Sequence, residues 1–226
     1  MAWFTQELFD FLEQLAANNN RPWFLANQDR YEQVVREPAR ELVAGLALPL
    51  AGISPHYVAN PAKVGGSLYR IQRDRRYHRD RPPYKTWLGL RLYHERRREL
   101  HVPSFYIHLQ PGACFVGAGL WRPESATVKR VREFIADNPR AWQAAAHAPA
   151  LSSRFRLGGE QLVRAPRGYP PDHPLIEDLK RKDFMALQNF PEAVALGADF
   201  DRFILDQIRD LVPLVDYLCA ALGLEF

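Results

Sequence analysis

The fold class is decided by residues 87–120, which contain WLGLRLY (residues 87–93) and SFYIHLQPGACFVGAGL (residues 104–120). Apolar side chains at every second position are the pattern of a β-strand with one buried face. Pro111-Gly112 marks a tight turn, so the strands on its two sides should be antiparallel. One face of the predicted sheet is rich in Leu, Ile and Phe and packs on helices, whereas the other displays Arg91, Tyr106 and His108.

Helical periodicity flanks these strands on both sides. A helix with apolar positions from Phe4 to Leu15 should end at the asparagine run 18–20, and Pro22 suits the first turn of the next helix. Residues 124–138 and 139–147 predict two more helices, and a last one is expected over 199–222, kinked or divided by Pro213. A strand pair is expected around residues 155–163, and another short strand is expected near residues 184–187.

The arrangement of these elements predicts the domain organisation. We expect an α+β fold in which N-terminal and C-terminal helices pack on one face of an antiparallel sheet. No internal repeat, low-complexity tract or composition shift interrupts the 226 residues. We therefore expect one domain over residues 1–226.

Composition excludes several classes of protein. No apolar run approaches the roughly 20 residues that span a bilayer, and the acidic start lacks the basic region of a signal peptide. Cys114 and Cys219 are far apart, which disfavours a disulfide framework or a cysteine-based zinc site. We expect a cytoplasmic protein that makes no membrane contact.

The common catalytic and cofactor motifs are absent. The glycines of residues 117–119 lack the third glycine and the following helix of a dinucleotide fingerprint, and no phosphate-binding loop or nucleophile elbow occurs. The seven histidines form no closely spaced pair of metal-ligand type. The sequence therefore predicts no metal and no cofactor.

The distribution of charge is more informative than its total. A net charge of +4 is compatible with nucleic-acid binding, but 25 of the 30 basic residues are arginine, an excess typical of GC-rich genomes. Residues 69–98 contain eleven basic residues and three acids, whereas residues 172–226 contain eleven acids and five basic residues. The positive end of the molecule is thus centred on one stretch.

That stretch contains residues 69–86, YRIQRDRRYHRDRPPYKT, which we call the basic segment. Its seven cations in 18 residues cannot all be buried, because an unpaired buried charge costs several kcal/mol. Pro82-Pro83 stiffens the chain before Tyr84, and arginine forks match phosphate or carboxylate. We expect an anion-binding loop, and the predicted ligand-binding residues are Arg70, Arg73, Asp74, Arg76, Asp80, Tyr84, Lys85, Arg91, Tyr106 and His108.

Three functions remain open at this point. The first is a binding protein for a small anionic ligand, including a nucleotide, with nucleic acid a weaker alternative. The second is a metal-independent enzyme in the same site, with Asp74 or Asp80 as base and Tyr84 or His108 as acid. Arginines beside an aspartate lower its pKa and make it a weak base, however. The third is a structural role in which arginines and aspartates form an ion-pair network. Neither the substrate nor the oligomeric state is predicted.

Four blocks of sequence together resemble the domain-of-unknown-function 2461 family of conserved bacterial and fungal hypothetical proteins: Asn19–Phe24, Arg73–Thr86, Pro111–Pro123 and Leu179–Phe184. Within the second block, the positions that match the family pattern are Arg73, Asp74, Arg76, Asp80, Pro83, Tyr84 and Lys85. His78 stands where the family has a serine, so no role of that hydroxyl carries over. The resemblance implies a one-domain α+β fold and brings no established activity.

Overall fold

A single antiparallel sheet forms the centre of the molecule. The computed structural model describes residues 2–74, 80–99 and 101–226. Within these residues the strands are β1 (Tyr57–Val58), β2 (Leu88–His94), β3 (Ser104–Leu109), β4 (Cys114–Leu120), β5 (Arg156–Gly158) and β6 (Phe184–Phe190). Their order across the sheet is β1-β2-β3-β4-β6-β5, and every neighbouring pair is antiparallel. The predicted α+β fold is confirmed.

Helices precede, interrupt and follow the strands in the described part of the chain. Before the sheet come α1 (Gln6–Ala17), α2 (Arg21–Ala26), α3 (Gln28–Tyr31), a π-helical stretch (Glu32–Arg36) and α4 (Glu37–Ala51). Between β4 and β6 lie α5 (Ser125–Asp137), α6 (Pro139–Ala146), α7 (Pro149–Ser152) and α8 (Ile176–Leu179). The chain then adds α9 (Glu192–Ala195) and the long α10 (Phe200–Ala221). None of these helices combines the length and apolar composition needed to cross a membrane.

The strands alternate in the predicted way. Leu90 faces Ile107 across β2 and β3, Ile107 faces Val116 across β3 and β4, and all three side chains are fully buried. Helix α10 packs on β3 and β4, and its Ile208 and Leu211 are also fully buried. Burial of this apolar surface, at about 25 cal/mol per Å², is the main stabilising contribution to the fold. Because the helices cover this face, the alternate side chains of the strands lie on the other one.

Local sequence signals determine where the first helices begin and end. Asn20 caps α2, since its side-chain oxygen accepts a hydrogen bond from the backbone N–H of Trp23 at 3.0 Å. Pro22 occupies the first turn of α2, where its missing N–H costs nothing. The predicted break between α1 and α2 at the asparagine run is confirmed.

Two predicted details differ from the structure. Pro213 does not divide the last helix, because its neighbours Leu211, Leu214 and Val215 are fully buried and their packing outweighs one missing backbone hydrogen bond. The strand pair expected within residues 155–163 is reduced to β5 and one isolated bridge, because Gly159 turns the chain with a φ of 102°.

Candidate functional site

A cleft of about 540 Å³ opens on the face of the sheet opposite α10. Its floor is formed by β3, β4 and β6, and we call it the sheet cleft. Aromatic rings and imidazoles dominate its walls: Tyr69, Trp87, Tyr106, His108, Phe115 and Trp121. The volume lies within the usual range for sites that bind small molecules.

Strand register places a glycine in the floor of the sheet cleft. One row across the sheet contains Arg91, Tyr106, Gly117 and Leu187 as successive neighbours. Leu187 already fills the space beside Gly117, since a Cβ atom there would clash with Leu187 Cδ2 and would lie 2.5 Å from the carbonyl oxygen of Ala186. Glycine therefore lets the Leu187 side chain lie close against the backbone of β4.

Ring contacts order the walls of the cleft. His108 stacks on Phe115 with ring centroids 4.6 Å apart and planes 13° apart, and Trp87 lies 5.0 Å from His108. Tyr69 meets Tyr106 edge-on at 5.8 Å. Each contact restricts the rotamers of both partners, so the rings of the walls are held in fixed orientations.

A chain of hydrogen bonds runs along one side of the cleft. The Tyr106 hydroxyl lies 3.1 Å from His108 Nδ1, and His108 Nε2 lies 3.1 Å from Gln110 Oε1. Because the amide oxygen of Gln110 can only accept, Nε2 carries the ring proton and Tyr106 donates to Nδ1. Burial lowers the pKa of His108, and burial together with Tyr69 raises the pKa of Tyr106. The chain is therefore uncharged at neutral pH.

Arg91 supplies the permanent charge of the lining residues that the structure describes. Its Nε is fully buried, and no hydrogen-bond acceptor in the described part of the chain reaches it. Arg132 also has a buried Nε without a partner, but its Nη2 donates to the carbonyl oxygen of Arg181 at 2.8 Å. A buried donor left unsatisfied costs about 1–3 kcal/mol, and more when it is charged. The guanidinium of Arg91 therefore has a hydrogen-bond donor that the described part of the chain does not satisfy.

The basic segment lies beside the sheet cleft. Its two ends pair through the bridge between Gln72 and Tyr84, and the backbone N–H of Lys85 donates to the carbonyl oxygen of Ile71 at 2.8 Å. The Lys85 ammonium then lies 5.2 Å from the ring of Trp87 and 5.4 Å from the ring of Tyr69, both in the cleft wall. The segment thus brings a cation to the rim of the cleft.

Tyr84 is held away from the cleft by the N-terminal helices. The Asn19 side chain donates to the carbonyl oxygen of Tyr84 at 3.1 Å and accepts from its N–H at 3.0 Å. The Tyr84 ring stacks on Phe24 with centroids 4.1 Å apart and is only 6% exposed. These contacts give Tyr84 a packing role, and they join two of the blocks that resemble the family.

The other predicted residues of the segment are spread around the pairing of its two ends. Arg73 Nε donates to the carbonyl oxygen of Tyr84 at 3.0 Å, and the Arg70 guanidinium lies 3.8 Å from the Asp74 carboxylate. Asp80 is exposed, and Arg76 lies outside the described residues. The structure thus brings Arg91, Tyr106 and His108 together in the cleft. Arg70 and Lys85 lie beside the cleft, and Arg73 donates to a backbone carbonyl.

Sequence reasoning missed part of the cleft. Trp87, Phe115 and Trp121 line it, as do Met185 and Leu187 of β6. The alternation that assigned Arg91 and Tyr106 to the open face also applies to Trp87 and Phe115, so that signal was present. The two β6 residues become neighbours of the cleft only through the pairing of β4 with β6, which the sequence does not reveal.

The block Leu179–Phe184 has a structural role at the end of the sheet. Asp183 is 2% exposed and accepts hydrogen bonds from the backbone N–H groups of Arg122 at 2.5 Å and Glu160 at 2.7 Å. Asp178, 5% exposed, contacts His147 Nε2 at 2.9 Å and Arg181 Nε at 3.2 Å. We call these two carboxylates and their partners the acidic anchor. Within the described ranges, no group of three or more His, Cys, Asp or Glu residues is placed to hold a metal ion.

The fold and the cleft define a class: α+β proteins with an aromatic, ligand-sized cleft on the uncovered face of an antiparallel sheet. The family model described as "Conserved hypothetical protein (DUF2461)" matches residues 7–217, nearly the whole chain. The chain belongs to this family, as its four sequence blocks predicted. No curated protein and no solved structure matches it.

Proposed function

We propose that the protein binds a small ligand that has a flat apolar body and one anionic group, and that this ligand occupies the sheet cleft. The observation that carries this function is the buried Nε of Arg91, which lacks a partner in the described part of the chain. A carboxylate or phosphate oxygen would accept from Arg91 in a charge-assisted hydrogen bond, the geometry for which a guanidinium is suited.

The walls support the flat apolar body of the ligand. His108 and Phe115 already lie parallel, and Trp87 adds a third ring nearby. Base-like or benzenoid rings stack well on such surfaces, and each stacked aromatic pair contributes about 0.5–1.5 kcal/mol beyond burial of its area. The uncharged Tyr106–His108 chain supplies polar groups that orient a ligand without requiring a second charge.

The basic segment supports delivery of an anion to the cleft. Arg70 and Lys85 stand at its rim, and a cluster of positive charge raises the local concentration and association rate of anionic ligands. The small anionic ligand predicted from the sequence is therefore retained in this proposal. We place its binding site in the sheet cleft beside the basic segment and not in the segment alone.

A ligand with a single anionic group fits these charges better than a polyphosphate or a nucleic acid. Nucleic-acid binding depends on several lysines and arginines that follow successive phosphates. Among the described lining residues of the cleft, a single arginine, Arg91, could contact a phosphate in this way. Aromatic carboxylates and monophosphates are the preferred classes.

A metal-independent enzyme acting on the same ligand is the second candidate. It is favoured by the Tyr106–His108 hydrogen bond, because a hydroxyl bonded to a neutral imidazole can pass a ligand proton to that imidazole. Loss of turnover but not of binding in His108→Gln would identify this enzyme. We place either function in the cytoplasm, which is supported by the two buried, unpaired cysteines Cys114 and Cys219.

Ligand screening of matched pairs tests the binding function. We expect 2-naphthoate and phenyl phosphate to raise the melting temperature of the parent protein, and the neutral 2-naphthamide to raise it less. Arg91→Gln should weaken 2-naphthoate binding by about tenfold or more, measured by calorimetry. Arg140→Gln, at an exposed position of α6, is the matched control and should bind like the parent. Equal binding to Arg91→Gln and to the parent would contradict the proposed function, as would the absence of binding by any flat anion.

A further inference from the structure

The five lysines of the chain divide into two kinds. Four of them lie within 4.0 Å of a glutamate carboxylate: Lys63 with Glu37, Lys129 with Glu133, Lys180 with Glu177 and Lys182 with Glu160. Lys85 has no such partner among the residues that the structure describes; its neighbours are rings and arginines. A carboxylate partner favours the ammonium form of a lysine, which is not nucleophilic, and the described surroundings of Lys85 supply none.

The surroundings of Lys85 disfavour its charged form. The side chain is half-buried against Tyr69 and Trp87, and its ammonium donates to the carbonyl oxygen of Arg70. The guanidinium groups of Arg70 and Arg73 stand close by, with Asp74 3.8 Å from Arg70. Burial first, and then these two arginines, lower the pKa of Lys85 from its usual 10.5 to about 8. Its cation–π contacts with the two rings and its hydrogen bond to the Arg70 carbonyl favour the ammonium form and oppose this shift.

We propose that Lys85 is a nucleophilic amine at the rim of the sheet cleft and that it condenses with an aldehyde or ketone group of the ligand held there. This condensation rests on the proposed function, because Arg91 and the aromatic walls seat the ligand. Both rings that touch the Lys85 amine also line the cleft. The amine therefore lies beside two walls of the proposed ligand site.

The condensation needs no oxidant, reductant or metal. The lone pair of the neutral amine attacks the carbonyl carbon, a C–N bond forms, and one amine proton passes to the carbonyl oxygen. The resulting carbinolamine loses this hydroxyl and the remaining N–H proton as one molecule of water, and a C=N double bond remains. Since the neutral amine is the reacting form, the lowered pKa of Lys85 makes a larger fraction of it reactive at pH 8 than of an ordinary lysine.

Reductive trapping on the intact protein tests this chemistry. The probe is 4-formylbenzoate, which combines a flat ring, a carboxylate and an aldehyde, and sodium cyanoborohydride converts its imines to stable amines. Peptide mass spectrometry then compares all five lysines in the same sample. At pH 8 we expect Lys85 to be labelled at least about tenfold faster than each paired lysine, in keeping with its larger neutral fraction. Lys85→Arg, with an unchanged melting temperature, should lose the dominant adduct.

A second probe distinguishes an unreactive Lys85 from a cleft that does not bind the first probe. Formaldehyde is small and uncharged, so it should label Lys85 at the same rate in the parent and in Arg91→Gln. Labelling by 4-formylbenzoate should be slower by several-fold in Arg91→Gln. If Lys85 reacts no faster than the paired lysines with either probe, the proposed nucleophile is excluded, even when 2-naphthoate binds normally. If formaldehyde labels Lys85 rapidly but labelling by 4-formylbenzoate does not depend on Arg91, condensation with a cleft-bound ligand is excluded.

Discussion

The acidic anchor and the sheet cleft treat buried charge in opposite ways. In the anchor, Asp183 accepts two backbone N–H groups and Asp178 is matched by His147 and Arg181, so the chain satisfies these carboxylates itself. In the cleft, the Nε of Arg91 lacks an acceptor within the described residues. The difference teaches that charges completed by the chain stabilise the fold, whereas a charge left incomplete is the feature on which the proposed ligand site rests.

The largest effect is expected from removing an anchor carboxylate. Asp183→Ala leaves two buried N–H groups without an acceptor and should lower the free energy of unfolding by about 3 kcal/mol. Urea unfolding measures this change. Asp80→Ala, at an exposed aspartate, is the control and should change stability by less than about 0.5 kcal/mol. Equal effects of the two substitutions would contradict the distinction between anchor and surface.

Two arginine substitutions compare the regions directly. Arg181→Met removes a cation that contacts the buried Asp178 and should cost about 2–3 kcal/mol, because the buried carboxylate then loses one of its two side-chain partners and keeps His147. Arg91→Met removes a cation whose Nε has no acceptor among the described residues, and it should leave the unfolding free energy unchanged or raise it by about 1 kcal/mol. The same Arg91 variant should lose affinity for 2-naphthoate. A large loss of stability in Arg91→Met would mean that the chain itself uses this charge.

Asn19 links the cleft rim to the helices, and its loss should have an intermediate effect. Asn19→Ala removes both side-chain hydrogen bonds to the backbone of Tyr84 and should cost about 1–2 kcal/mol. The Asn18 side chain donates to the carbonyl oxygen of Gln14 in the preceding helix, with no other side-chain hydrogen bond among the described residues. Asn18→Ala should therefore cost less. Both variants are measured by urea unfolding, and a greater loss in Asn18→Ala would contradict the assigned role of Asn19.

The smallest effect is a pH dependence that arises in the cleft. Burial holds the folded-state pKa of His108 below that of the unfolded chain. The stabilising contribution of neutral His108 is therefore complete above the unfolded pKa of about 6.5 and is lost as the pH falls through the lower folded value. His108→Gln should consequently lose less stability than the parent between pH 7 and pH 5 in urea titrations. A steeper loss in the variant would reverse the assigned sign.

The fold could be predicted from sequence because its signals are local. Alternation within residues 87–120 sorted the side chains between two faces, so Arg91, Tyr106 and His108 were assigned to the open face that carries the cleft. The contribution of β6 could not be predicted, because Leu187 meets Gly117 through pairing between strands about 70 residues apart. Tyr84 was placed in the site by its charged neighbours, whereas contacts with Asn19 and Phe24 place its ring in the core.

The basic segment shows what charge counts do and do not determine. The count drew attention to a stretch that borders the sheet cleft, since Lys85 lies at the cleft rim. It gave no indication that Arg73 would donate to a backbone carbonyl. Nor did it indicate that the arginine with an unsatisfied Nε in the described cleft lining would be Arg91, which lies outside the segment. Which cations bind a ligand depends on burial and on internal partners, and both are properties of the tertiary structure.

Gly117 has a consequence for selectivity among ligands. The Leu187 side chain and the Ala186 carbonyl oxygen already occupy the space above Gly117, and strand pairing on both sides holds the backbone beneath them. Backbone in the middle of a sheet yields little, so Leu187 cannot sink further toward it. In the proposed ligand site, planar molecules should therefore be preferred over saturated analogues of the same outline and charge, because this part of the floor cannot move away from a thicker ring.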